Sequence, residues 1–306
     1  MTIQRDTLSS VTPDATWQDY HEVYPGDGHT VAGDVRLLRG VVSHGLARRD
    51  VLVYLPPSYA TRPARRYPVL YLHDGQNVFD AATSYAGEWG ADEAAESLAA
   101  RGLDAILVAV PNAGLARGAE YSPWPVRPSS TRQPSQAGAY LDFLTTTVKR
   151  RVDADFRTSP KRADTGIAGS SLGGLIALYA CLSRPGIFGY CAALSPAFWP
   201  GRGGIFSVAR ERPDPGLRVY LDAGRQEAGD RFVAQVSRMR DLLRDQGCDV
   251  AYVEDAQGQH NEEAWRRRFP AALAWFLDPA LRPASSIGND PASPVGDDHQ
   301  APPSSF

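Results

Sequence analysis

The sequence is short of cysteine, of net charge and of long apolar runs, and each shortage removes a class of function. Only three cysteines, Cys181, Cys191 and Cys248, occur in 306 residues. They form no CxxC pair and no cluster with metal-ligand spacing, so they read as small buried apolar residues, and no metal or other cofactor is expected. The 32 basic and 35 acidic residues are well mixed and leave a formal charge of −3. No basic stripe appears, which argues against nucleic acid as a partner. No run approaches the roughly 20 apolar residues of a membrane span. The opening residues, MTIQRDTLSSVTPDATWQDY, lack the apolar core of a secretory signal. The expectation is a soluble, cytoplasmic protein without a membrane partner. Internal repeats are also missing.

What the chain does contain suits an ordinary globular core: 43% of its residues are hydrophobic and 22% charged. Seven short apolar runs stop at Gly, Pro, Asp or Asn: DVLVYLP (50–56), PVLYLHD (68–74), DAILVAV (104–110), TGIAG (165–169), GYCAALS (189–195), RVYLDAG (218–224) and CDVAYVE (248–254). Several are apolar on both faces, as the buried strands of a parallel sheet are. Helical patterns lie between them. GDRFVAQVSRMRDLLRDQG puts Phe232, Val233, Val236, Met239, Leu242 and Leu243 on one stripe. SLGGLIALYACLSRPG and QAGAYLDFLTTTVKRRVDADF supply two more, and NEEAWRRRFPAALAWFLD a fourth, interrupted by Pro270. Strands alternating with helices predict a three-layer α/β sandwich. The first strands lack helices between them, so the sheet should begin antiparallel. Residues 111–135, rich in Pro, Arg and Ser, form a long loop of the kind that is often functional. The organisation expected is an N-terminal extension (1–34), one α/β domain (35–280) and a disordered tail (281–306).

The stretch GIAGSSLGGL (166–175) holds two adjacent serines at a strand-to-helix junction. A nucleophile on such a sharp turn brings the residues two before and two after it close together, so both must be small. Ser171 has Gly169 behind it and Gly173 ahead, whereas Ser170 has Ala168 and Leu172, and the leucine would clash. Ser171 is therefore the candidate nucleophile. A serine hydroxyl needs a base, and in this fold the chain order is Ser, then acid, then His. Only His260 and His299 follow Ser171, and His299 falls in the expected tail. His260, after the last strand and before the last helix, is the candidate base. The acid lies among Asp222, Glu227 and Asp230. Glu227 is favoured because it follows the turn at Gly224, while Asp230 suits an N-cap. Two backbone donors would hold an oxyanion: Leu172 N–H, and Gln76 N–H in the loop after an earlier strand, where Gly75 lets the chain turn. His73 and Asp74 are read as structural hydrogen-bonding residues. Trp89, Tyr121, Trp124 and Trp199 fall on or beside the sheet-top loops, where they would pack an aryl acyl group or the core. Arg117 would meet an anionic substrate or simply be solvated.

Four stretches, YPVLYLHDGQNVFD, TGIAGSSLGGLIALYACLSRPGIFGYCAALSPAFW, VYLDAGRQE and GQHNEEAW, resemble the "Putative esterase" family of α/β-hydrolases. That group contains esterase D (S-formylglutathione hydrolase), enterochelin esterases, feruloyl and acetylxylan esterases, and the antigen 85 mycolyltransferases. The resemblance spans about residues 35–278. It implies an α/β-hydrolase fold with nucleophile Ser171, base His260, acid Glu227 three residues past a glycine, and an oxyanion amide at Gln76. It also implies that SPAFW (Ser195–Trp199) lies near the cleft. Only some 35 residues precede the match, so neither the large N-terminal domain of the cytoplasmic enterochelin esterases nor the carbohydrate-binding module common in secreted xylan-active members is expected. The function expected is a serine carboxylic-ester hydrolase acting on a small-molecule ester, with a homodimer as an allowed assembly. Acyl transfer of the antigen 85 type and non-catalytic binding on a hydrolase fold are the alternatives.

Overall fold

The computed structural model describes residues 16–126 and 134–281. The remainder of the N-terminal extension, residues 127–133 of the Pro/Arg/Ser-rich loop and the tail from 282 lie outside the described residues. The nine strands of one sheet are β1 (Gln18–Asp19), β2 (Asp34–Val41), β3 (Arg49–Leu55), β4 (Val69–His73), β5 (Ile106–Val110), β6 (Thr165–Ser170), β7 (Tyr190–Leu194), β8 (Arg218–Gly224) and β9 (Asp249–Asp255). Their spatial order is β1-β2-β3-β5-β4-β6-β7-β8-β9. The pairings β1–β2, β2–β3 and β3–β5 are antiparallel, and every pairing from β5–β4 onward is parallel. The expected mostly parallel sheet with antiparallel N-terminal strands is thus observed, and all seven apolar runs are strands. β1 and β2 were not among those runs. β2, DVRLLRGV, carries polar residues on an incompletely covered strand and lacks a continuous apolar signature.

Helices cover both faces, giving the three layers. The helical run through Ala137–Asp142, the π-segment Phe143–Val148 and Lys149–Asp155 lies on one face, with helices Leu172–Ser183, Ile205–Glu211 and Asp230–Asp245. Helices Ala91–Ala99 and Glu262–Leu277 cover the other. In Asp230–Asp245 the expected stripe packs inward: Val236, Met239 and Leu243 are buried and Phe232, Val233 and Leu242 lie against the core. All three cysteines are buried free thiols. The last helix is not interrupted at Pro270 but runs through it. A proline inside a helix costs about 3 kcal/mol. Burial of Phe269, Leu273 and Phe276 offsets that at roughly 2 kcal/mol for each side chain.

Strand order determines where a crevice opens. β5 follows β4 on one side, and the chain then crosses to lay β6 on the other. The order reverses at β4, and ligand crevices in open α/β sheets form outside the carboxyl ends of strands at such a point. The loop after β4 is also braced from the N-terminal side. Asp80 accepts hydrogen bonds from Tyr20 Oη (2.6 Å) and Thr30 N (3.2 Å) and contacts His29 Nδ1 (2.6 Å). Ala32 N donates to Asp92 at 2.6 Å. Residues 20–32 therefore strap the loop that carries Gln76. Among the described residues, no helix is long and apolar enough to cross a membrane.

Candidate functional site

Ser171 sits at the top of β6 with φ 55° and ψ −119°, a conformation disfavoured for a side-chain-bearing residue. The turn is tight for the reason the motif suggested. A Cβ on Gly169 would lie 2.6 Å from the carbonyl carbon of Gly173, and one on Gly174 would lie 3.1 Å from Pro196 Cβ. The strained backbone is fixed on both sides: Ser171 N donates to Leu194 O (3.0 Å), and Ser171 O accepts from Leu175 N (3.1 Å) and Ala197 N (2.9 Å). Leu172 opens the helix, so its N–H has no acceptor within that helix and faces the same end as the serine.

The imidazole of His260 reaches this serine, with Nε2 2.9 Å from Ser171 Oγ and Nδ1 2.8 Å from Glu227 Oε2. Of the three acids considered, Glu227 is the one hydrogen-bonded to His260. Asp222 lies inside β8, fully buried, and Asp230 is the first residue of its helix, with Gly229 rather than Asp230 in the cap position. Two glycines let the loops bearing Glu227 and His260 meet. A Cβ on Gly224 would sit 2.3 Å from Gly258 O, and Gln226 N donates to that same oxygen at 3.0 Å. The imidazole stands edge-on to Trp265 (5.1 Å between centroids) and to Phe232 (6.2 Å). The Glu227 side chain is 1% exposed and that of His260 41%, so the carboxylate is enclosed while the imidazole opens to solvent.

On the other side of the serine, Asp74 adopts a left-handed conformation (φ 55°) and Gly75–Asn77 form a short 3-10 turn. Gly75 is obligatory there, because a Cβ would lie 2.5 Å from Val110 N. This turn abuts the serine elbow: a Cβ on Gly173 would be 3.3 Å from Asp74 Oδ2 and 3.4 Å from His73 Cβ. Gln76 Oε1 accepts from Asn112 N (3.1 Å), and Gln76 O accepts from Thr83 Oγ1 (2.7 Å). Asn77 Nδ2 donates to Glu262 Oε1 at 3.2 Å and links this loop to the helix after His260.

His73 and Asp74 make structural hydrogen bonds. His73 Nδ1 is 2.7 Å from Tyr140 Oη, and burial pushes the imidazole down to about 4, against the opposing pull of Asp74. Asp74 takes a bidentate ion pair from Arg117, with Nε–Oδ1 and Nη2–Oδ2 both at 2.7 Å. Arg117 is thus engaged by a carboxylate rather than simply solvated, and the pair raises its already high pKa although burial opposes it. Trp89 packs on Trp265 and Phe269 in the core, and Tyr121 is buried with its hydroxyl accepting from Asp74 N at 3.1 Å. Trp124 lies over residues 201–204, where a Cβ on Gly201 or Gly204 would collide with its ring at 2.4 Å. Trp199, directly after the segment bonded to the serine elbow, is 52% exposed. Of the four aromatics considered for substrate contact, Trp89 and Tyr121 therefore belong to the interior, and Trp199 alone is broadly open to solvent.

Sequence reasoning did not assign Arg268 or Trp265 to this site. Their signal is a charge on a buried stripe: Ala264, Trp265, Arg268, Phe269 and Ala272 repeat at helical spacing, and all are buried. Burial raises Asp222 to about 7, although Arg268, 3.4 Å away, pulls the other way.

Residues 46–276 match the family model described as "Putative esterase". A protein of Bacillus subtilis (strain 168), "Uncharacterized protein YbbA", is 25% identical over 253 residues, covering 78% of this chain and 97% of that protein. The siderophore triacetylfusarinine C esterase of Aspergillus fumigatus is 32% identical over 135 residues, 43% of this chain and 44% of the relative. Among solved structures, the enterobactin esterase FES from Shigella flexneri superposes with a TM-score of 0.60 at 21% identity, over 75% of this chain and 55% of that one. Likeness at that identity is a likeness of fold.

Proposed function

Because this chain belongs to the "Putative esterase" family and is an ester hydrolase, we propose that it works through an acyl-enzyme formed on Ser171, with His260 as general base and Glu227 as the orienting acid. The observation that carries this reading is the unbroken hydrogen-bonded path from Ser171 Oγ through His260 to Glu227. Glu227 accepts from Nδ1–H, which leaves Nε2 as the acceptor facing the serine. As Ser171 Oγ attacks the ester carbonyl carbon, its proton passes to Nε2 and negative charge develops on the carbonyl oxygen. Leu172 N–H and Gln76 N–H stabilise that oxyanion. The imidazolium then returns its proton to the leaving alcohol as the C–O bond breaks. Water, deprotonated by the same nitrogen, attacks the acyl-enzyme and releases the carboxylic acid. The strained φ of Ser171 holds Oγ at the crevice mouth with no conformational search before attack.

Two of the similar proteins are named as esterases, one of the siderophore triacetylfusarinine C and one of enterobactin, and a siderophore ester is the substrate class proposed here. Hydrolysis of p-nitrophenyl acetate, enterobactin and triacetylfusarinine C should be compared in wild type and Ser171→Ala. An active-site phosphonate should label the wild type once, at Ser171. Turnover by a folded Ser171→Ala variant at the wild-type rate would refute the mechanism. Turnover of the simple ester without either siderophore would refute only the substrate class.

A further inference from the structure

On the reading of Ser171, His260 and Glu227 just given, we propose that Ser195 and Arg268 are positioning residues that fix the direction of the hydrogen bonds reaching His260. Counting protons supports this. A serine hydroxyl has one O–H to donate and two lone pairs to accept. Ser195 Oγ lies 3.0 Å from Trp265 Nε1 and 2.8 Å from Arg268 Nη2, both of which can only donate. With both lone pairs filled, the one remaining proton must go to Glu227 Oε1, 2.5 Å away. Gly224 N donates to the same oxygen at 2.7 Å. Oε1 is thus saturated by donors, and Oε2 is left to accept from His260 Nδ1. The two donors on Oε1 hold the carboxylate with Oε2 turned to His260, and because a carboxylate only accepts, the imidazole keeps its proton on Nδ1 and its free lone pair toward Ser171, the tautomer a general base needs. Protons point one way along the whole path.

The rest of the cluster fixes Ser195 itself. Its φ of 43° is one a serine adopts only under constraint, and its N–H is anchored to Asp222 Oδ1 at 2.8 Å. The Arg268 side chain, 5% exposed, lies between two acids, with Nε 3.4 Å from Asp222 Oδ2 and Nη2 3.6 Å from Glu227 Oε1. Asp222, the rival acid in the sequence, therefore serves the path from behind. The charged groups facing this cluster are Asp222 on β8, Asp255 at the end of β9, and Glu262 and Arg268 on the last helix. Arg267 lies 3.5 Å from Asp255, and Asp74 and Arg117 act on Glu262 from the other side, but Arg268 is the cation placed within 4 Å of both Asp222 and Glu227. Removing it takes a positive charge from beside the carboxylate that faces His260.

The test measures kcat, KM and the pH profile of kcat/KM on p-nitrophenyl acetate. Competent sites are counted by phosphonate titration of Ser171. Ser195→Ala should lower kcat per titrated site by about 10- to 100-fold, the scale of small misplacements in a catalytic constellation, with KM little changed. Ser195→Gly fits the left-handed backbone and makes the same test if the alanine variant does not fold. Arg268→Met should move the acid limb up by about half to one pH unit, and Arg268→Lys should restore it. A purely structural role would lower thermal stability and leave kcat per site and the acid limb unchanged, and that result overturns the proposal. Ser171→Ala separates the two levels. If it is inactive while folded Ser195 variants keep wild-type kcat, only the positioning inference fails. If it stays active, the mechanism beneath the inference fails.

Discussion

Two charged clusters flank Ser171, and they differ in where their hydrogen bonds end. At the top of β4 and β5, Asp74 is neutralised by Arg117 and bound by Asn112 Nδ2 at 2.7 Å. That cluster runs through Asn112, whose N–H meets the Gln76 side chain at 3.1 Å, and among the described residues it makes no hydrogen bond to Ser171 or His260. Across the serine, Glu227, Ser195, Arg268 and Asp222 form a cluster whose hydrogen bonds continue into His260 and then Ser171. Both hold a buried carboxylate beside a guanidinium next to the serine elbow or its histidine. Nearness to the site is therefore a poor guide to influence on it. What matters is whether a directed hydrogen-bond path connects a group to the reacting atoms.

The sharpest way to break this comparison is to damage one acid in each cluster. Glu227→Gln removes the charge that holds the imidazolium and should lower kcat by about 10²- to 10⁴-fold. Asp74→Asn should change kcat less than about tenfold while lowering the thermal midpoint. Equal kcat losses in steady-state assays would erase the distinction.

A second test uses pH. His73 stands beside Asp74 and is held neutral, with its folded value at about 4 against an ordinary value of 6.5. Its neutral form is the native one, so its contribution to stability is complete above about pH 6.5 and is lost as pH falls toward 4. The loss should approach about 3 kcal/mol. Urea unfolding from pH 7 to pH 4 should show this slope, and His73→Gln should flatten it. The pH dependence of turnover, by contrast, should follow the Glu227 side.

The elbow between the clusters tests packing rather than charge. Gly169→Ala would force a methyl group into the Gly173 backbone, costing about 1–3 kcal/mol by chemical denaturation, with loss of activity because Ser171 moves with the turn. The smallest effect is expected at Arg117. Arg117→Met leaves the buried Asp74 carboxylate without its ion pair, but Asn112 Nδ2 still donates to it and the Arg117 side chain is 27% exposed, so screening holds the cost to about 1 kcal/mol. Its effect on KM for a neutral ester should be negligible. A large rise in KM for an anionic ester alone would instead show that Arg117 leaves Asp74 to meet the substrate.

Much of this was legible from residues in a row. The seven apolar runs were readable because buried parallel strands are apolar on both faces, whereas β2 is covered on one side only in part and escaped notice. Gly169 and Gly173 singled out Ser171 over Ser170 because the requirement is local and steric. The role of Ser195 was not legible in this way. Its partners come from β8, from the turn after Gly224 and from the last helix, and no spacing along the chain relates them. Whether Trp89 and Tyr121 pack the core or a substrate stayed open for the same reason: a loop residue's burial depends on which element later covers it.

The sequence by itself determined the layered architecture and the serine at the elbow, and it pointed to the histidine that lies beside that serine. These follow from periodicity, from the size of neighbouring residues and from the scarcity of alternatives. Only the tertiary structure decided which carboxylate faces that histidine and what stands behind it. Hydrogen-bond direction is a property of atoms in space, and Glu227, Asp222 and Asp230, nearly equivalent as letters, become different once β8 buries one, a turn aims another inward and a helix carries the third away.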